Sequence, residues 1–143
     1  MPNLHPVFVH YPIALLTVTF LFEVFAQITS HDGLSRAGWW MQLSGTVGLA
    51  VTVVTGILAQ HSVVLPPNAN ASFNLHQELA FVTSSLFVLL LFWRVAKRTR
   101  VPPEHRVAFL ALFLLAVCSL LIGGWFGGEL VYRFGTVVVS GGY

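Results

Sequence analysis

Four nearly uncharged stretches, each close to the ~20 residues a helix needs to cross a bilayer, fill most of a 143-residue chain, and few folds admit that spacing. The runs fall at about 6–28, 38–63, 75–95 and 107–128. In lipid each helix must satisfy its own backbone donors, so a helical span is the natural form for every run. With 56% hydrophobic and only 8% charged residues, the chain carries more apolar surface than a soluble core of this length could hide. The bilayer is its solvent. Short connections between consecutive spans make them antiparallel neighbours, and the expectation is a single all-α domain: an antiparallel four-transmembrane-helix bundle.

Punctuation supports those limits. Pro6 suits a first helical turn, and Thr29, Ser30, Asp32 and Gly33 supply turn chemistry after Ile28. Pro12 should kink the first span early, and Pro66 and Pro67 end the second. Trp39, Trp40 and Trp93 sit at interfacial depth. No cleavable leader is expected, because the start lacks a basic segment and its first apolar run is long enough to span. No internal repeat stands out.

Direction follows from the basic residues. Arg36, Arg94, Lys97, Arg98, Arg100 and Arg106 cluster around the first and third connections, and Arg133 alone falls on the other side. Cytoplasmic loops retain Lys and Arg, which puts both termini and the middle loop, 64–74, on the non-cytoplasmic side. A nucleic-acid patch is not among the readings of this charge pattern. Cys118 is the single cysteine, so no intramolecular disulfide can form.

Threading the chain in those directions places His5, His10, His61 and His76 near one face, with His31 and His105 in the opposite connections as ordinary surface histidines. Neutral imidazoles projecting from several helices can hold haem iron, copper or zinc. His5 and His10 differ by roughly 140° around an ideal helix, so they cannot both face one metal. His10, about one turn deeper, is the favoured interior ligand, with His76 as its partner and His5 and His61 as a second pair or supporting groups. The bland alternative is four interfacial histidines bonded to backbone and water, with no cofactor at all.

Among the other polar positions, Tyr132 and Arg133 could hold haem propionates or another anion, while Arg133 and Glu129, at i and i+4, could equally form a surface ion pair. Glu23, thirteen residues beyond His10 and roughly 20 Å along the helix, needs a partner; Gln42 or Arg36 is expected to supply it, and a proton or quinone contact is the weaker option. Gly45, Gly48 and Gly56 serve close helix contact. No Walker loop, nucleophile elbow or dinucleotide fingerprint occurs.

Two motifs then stand together: His5-Pro6-Val7-Phe8-Val9-His10-Tyr11-Pro12 and Gly127-Gly128-Glu129-Leu130-Val131-Tyr132-Arg133-Phe134-Gly135. Together they resemble domain-of-unknown-function family 2231, small bacterial four-helix membrane proteins with an HPxxVHxP start and a GGxLVYxxG finish, over essentially the whole chain. The motif positions are His5, His10, Gly127, Gly128, Tyr132 and Gly135, with His76 opening the third span and His61 less firmly matched. Because the domain occurs joined to Rieske or cytochrome c modules, the resemblance implies electron transfer in the bacterial inner membrane. This chain has no such module, so its partner would be another redox subunit or a periplasmic electron carrier.

The expectation is thus a b-type cytochrome-like subunit with haem b near the periplasmic face, an electron carrier and not a stand-alone enzyme. A cofactor-free accessory subunit of a larger complex and a His-rich copper or zinc site are the alternatives.

Overall fold

The computed structural model describes residues 5–97 and 101–138. Pro6 gives up no helical hydrogen bond in a first turn, and α1 (His5–Thr29) opens around it. The helix runs through Pro12, whose missing N–H leaves the Phe8 carbonyl without its donor four residues on. Thr52 on the second helix reaches it, its Oγ1 proton shared between the Phe8 oxygen at 3.2 Å and the Gly48 carbonyl of its own helix at 3.0 Å.

Helix α1 stops in a left-handed turn at Ser30 (φ 53°), with the His31 amide bonding back to the Ala26 carbonyl over 3.1 Å. His31 at once caps α2 (Asp32–Gln60), its ring Nδ1 accepting from the Leu34 amide. The turn is so tight that α2 begins at Asp32, not near Gly38 as the apolar pattern suggested, and Arg36 lies inside the helix. Its other end also comes sooner than expected. Val63 and Val64 leave the helix as strand β1 (Val63–Val64), paired antiparallel with β2 (Val137–Val138) after the fourth helix.

A 3₁₀ turn at Pro67–Ala69 leads into α3 (Asn70–Ala96), and a second at Pro103–His105 leads into α4 (Arg106–Tyr132). Each of the four helices is long and apolar enough to cross a membrane, and together they form an all-α, antiparallel bundle. Residues such as Leu21, Phe25, Val54, Leu58, Phe92 and Leu115 lie exposed around its outside, as suits a lipid solvent. Arg98 and Arg100 of the basic connection lie outside the described residues.

The core is built from Leu16, Leu49, Phe87, Leu90, Phe109, Phe113 and Leu120, with Phe113 meeting Phe20, Phe87 and Phe109 at ring-centroid distances of 5.6 to 5.8 Å. Helix α1 packs chiefly on α2 and α3 on α4, so the bundle is two hairpins laid side by side.

Those hairpins are copies of one design. Pro12, Leu16, Thr19 and Glu23 are buried on α1, and adding 71 to each number gives Thr83, Phe87, Leu90 and Arg94, the buried residues of α3. Gly38, Gln42, Gly45, Thr46, Leu49 and Thr52 on α2 map in the same way to Phe109, Phe113, Ala116, Val117, Leu120 and Gly123, all buried on α4. The repeat that the sequence hides is a repeat of inward-facing positions, since the residue types at those positions mostly differ.

A paired-histidine site at the end holding the termini

His5 and His76 occupy equivalent places in the two hairpins, 71 residues apart, and meet across the bundle. Their ring centroids lie 6.3 Å apart with the planes at 75°. Each ring is fixed through Nδ1. His5 Nδ1 lies 3.0 Å from the Thr52 carbonyl and 3.3 Å from Thr55 Oγ1, and His76 Nδ1 lies 2.8 Å from the Gly123 carbonyl. Both carbonyl bonds span 47 residues, so the same contact is made once in each hairpin. A carbonyl can accept only from N–H, which places a proton on Nδ1 of each ring; in a neutral imidazole so protonated the lone pair is on Nε2.

Glycine makes these bonds possible. A helix carbonyl already receives the amide four residues on, and a side chain at that later position would cover the oxygen from the side. Beyond Thr52 that position is Gly56, and beyond Gly123 it is Gly127. A Cβ at Gly56 would lie 3.0 Å from His5 Cε1, and one at Gly127 would lie 2.9 Å from His76 Cε1. Thr52 serves both places, since the hydroxyl shared between the Phe8 and Gly48 carbonyls belongs to the residue whose carbonyl holds His5. Pro12, Thr52 and His5 therefore form one linked unit.

The other expected site residues distribute differently. His10 lies on the exposed outside of α1, so the histidine that faces His76 is His5. His61 is exposed at the C-cap of α2. Gly128 has open space beside it, and Tyr132 is 92% exposed. Arg133 is held by Glu129, whose second oxygen accepts from Ser72 Oγ over 2.8 Å, and its guanidinium lies over the Phe134 ring. That arrangement ties the end of α4 to the start of α3. His31 caps α2, and the His105 ring stands edge-on to Trp93. Sequence reasoning missed Thr52, Gly123 and Pro12 as parts of the site and took Gly56 for general packing.

A second polar centre lies toward the opposite end. Glu23 pairs with Arg94 at 2.6 Å, with the two side chains 2% and 0% exposed. The expected partners were Gln42 or Arg36. Instead Gln42 Oε1 accepts from Arg94 Nη1 over 3.1 Å, and the Ser35 carbonyl accepts from Arg94 Nη2 over 2.6 Å. Trp39 covers the guanidinium with its ring centroid 5.8 Å away. Gly38 leaves room for the carboxylate, since a Cβ there would fall 2.2 Å from Glu23 Oε1.

These features define a class: a four-helix membrane bundle made of two like hairpins, with a histidine pair where they meet at one end. More particularly, the chain belongs to the DUF2231 family of predicted membrane proteins, whose model matches residues 1–140. Comparison with curated proteins and with solved structures finds no match.

Proposed function

We propose that the chain is a b-type cytochrome-like membrane subunit in which His5 and His76 are the two axial ligands of one haem. The observation that carries this reading is the spacing of the two anchored rings. Imidazoles bound on opposite sides of one metal ion, at about 2 Å per metal–nitrogen bond, hold their ring centroids about 6 Å apart. The 6.3 Å between His5 and His76 fits that requirement. Nδ1–H bonded to a carbonyl is also the arrangement that orients a ligating imidazole and raises its basicity.

The donor count favours haem over zinc or copper. Haem brings four nitrogens and asks the protein for two, whereas a closed zinc site uses four protein ligands. Among the described residues no three of His, Cys, Asp or Glu come together. When bound, the haem would supply one-electron transfer, and filling both axial positions suits a carrier better than an enzyme. What the chain contributes is two imidazoles, each held through Nδ1, in a largely apolar bundle. The excess of Lys and Arg at the far end would set the histidine end toward the periplasm of a bacterial inner membrane, where a separate redox subunit or soluble carrier could exchange electrons.

The test is a reduced-minus-oxidised visible spectrum with pyridine haemochrome analysis on protein purified from haem-replete cells. A low-spin b-type band is expected, abolished in His5→Ala and in His76→Ala and retained in His10→Ala and His61→Ala. Acidification should release the group, because only neutral imidazole ligates. A colourless wild-type protein defeats the reading. A band that survives His5→Ala but disappears in His10→Ala would move the ligand back to the deeper histidine.

A further inference from the structure

Six Asp, Glu, His, Lys or Arg side chains lie within the four apolar spans: His10, Glu23, His61, His76, Glu78 and Arg94. Glu23, Arg94 and His76 are turned into the bundle and bonded there, and His61 lies at the C-cap of α2. His10 and Glu78 remain. Both are exposed on the outside of the bundle, and neither has a hydrogen bond or ion pair among the described residues. An ionisable side chain facing lipid is costly, and such groups are almost always found paired.

Their placement says where a partner can come from. Counted from the inward-facing His5, His10 is turned roughly 140° around α1; counted from His76, Glu78 is turned roughly 160° the other way around α3. Helices α1 and α3 run in the same direction from the end where His5 and His76 meet. His10 and Glu78 therefore differ in depth by three residues, about 4.5 Å, within reach of two side chains. They cannot meet within one chain. Helix α1 packs against α2 and α4, and so does α3, which sets α1 and α3 diagonally across the bundle with their outer faces pointing apart.

The two outer faces nevertheless match each other. Imidazole carries an N–H in either protonation state and a carboxylate accepts it, whereas Glu78 set against a second Glu78 would bring like charges together. Deeper on the same faces, Ala14 and Ser85 are small, exposed and 71 residues apart, so they fall at one level. The Ser85 hydroxyl is turned back onto the Phe81 carbonyl of its own helix. Small residues facing each other let two membrane helices approach closely.

We propose that the chain self-associates in the membrane through these faces, α1 of one copy against α3 of the next, with His10 of the first bonded to Glu78 of the second. The contact is heterologous, so each copy offers one donor face and one acceptor face. It is independent of the haem reading, because it uses neither His5 nor His76.

The experiment is cysteine cross-linking of full-length chains in their membrane. Two differently tagged chains are co-expressed, one with Ala14→Cys and the other with Ser85→Cys, both carrying Cys118→Ser, and oxidised with copper phenanthroline. A mixed disulfide dimer is expected, and neither chain expressed alone should form one. Adding His10→Ala to the first chain or Glu78→Gln to the second should slow the linking roughly threefold to thirtyfold, the worth of one interhelical hydrogen bond in a membrane. Exchanging the groups, His10→Glu in the first chain with Glu78→His in the second, should restore the rate. The proposal is overturned if the mixed dimer forms no faster than a link from Ala14→Cys to the native Cys118, which is exposed on the outside of α4. It is equally overturned if Ser85→Cys chains link only to each other, if the single changes leave the rate unaltered, or if the exchange fails to restore it.

Discussion

At the scale of single residues, the site turns on what a missing side chain uncovers. Gly56 and Gly127 leave two helix carbonyls open to imidazoles from neighbouring helices, and a methyl group at either place would press on Cε1 of the ring. Gly127→Ala and Gly56→Ala should therefore displace His76 or His5 and, on the haem reading, sharply weaken its binding, seen as a lost or broadened absorbance band. Gly128→Ala, with nothing within 4 Å of the added carbon, should keep the band and be neutral or stabilise by up to about 1 kcal/mol, as replacing a helical glycine generally does. Which of His5 and His10 faces the bundle interior was within reach of the sequence. Glu23 inside an apolar span must face inward. At roughly 100° per residue, the eighteen residues from His5 to Glu23 make five whole turns, while the thirteen from His10 leave it about 140° away. Depth in the membrane was the weaker criterion and angular phase the stronger one. Thr52 and Gly123 were harder to find, because a backbone carbonyl used as an acceptor leaves no signature in residue type.

Between elements, the deciding contact is the ion pair joining α1 to α3. Glu23 and Arg94 are equivalent positions of the two hairpins, so identical residues there would set like charges against each other in the core. Opposite charges make these positions a bond, whereas at the other end the equivalent positions are the same residue and two histidines face each other. A single change, Glu23→Gln or Arg94→Met, should destabilise by about 3–5 kcal/mol because it leaves an uncompensated buried charge. The double change Glu23→Leu with Arg94→Met should be markedly less harmful than either alone. Unfolding in detergent, followed by helical circular dichroism, checks both statements. The spans themselves were legible from uncharged length, but their ends were not. Hydropathy cannot see that Ser30 turns left-handed and His31 begins capping in the next position, so α2 starts six residues earlier than its apolar run. Nor could it see Val63 and Val64 exchanging helix for a short strand pairing, which depends on a partner more than seventy residues away.

For the whole molecule, the repeat is the main result that residue identities conceal. A bilayer asks only that inward positions pack and outward positions be apolar, so two hairpins of different residue identity can share one 71-residue register of burial. One consequence can be tested by cutting the chain in the loop between Leu65 and Pro67. Segments 1–66 and 67–143, expressed together, should reassemble into one complex that copurifies and, on the haem reading, recover the absorbance expected of the intact protein, which neither should show alone.

The division of the histidine pair between hairpins carries a further meaning. His5 is fastened to α2 and His76 to α4, so each hairpin orients one ligand completely and owns only half a site. A metal held by both would act as a non-covalent rivet between the two hairpins. Its binding free energy would then appear directly as cohesion of the bundle, growing with the logarithm of ligand concentration over its dissociation constant. Loading and assembly would be one equilibrium, and a membrane short of cofactor would hold the same chain as a looser, more readily dismantled object.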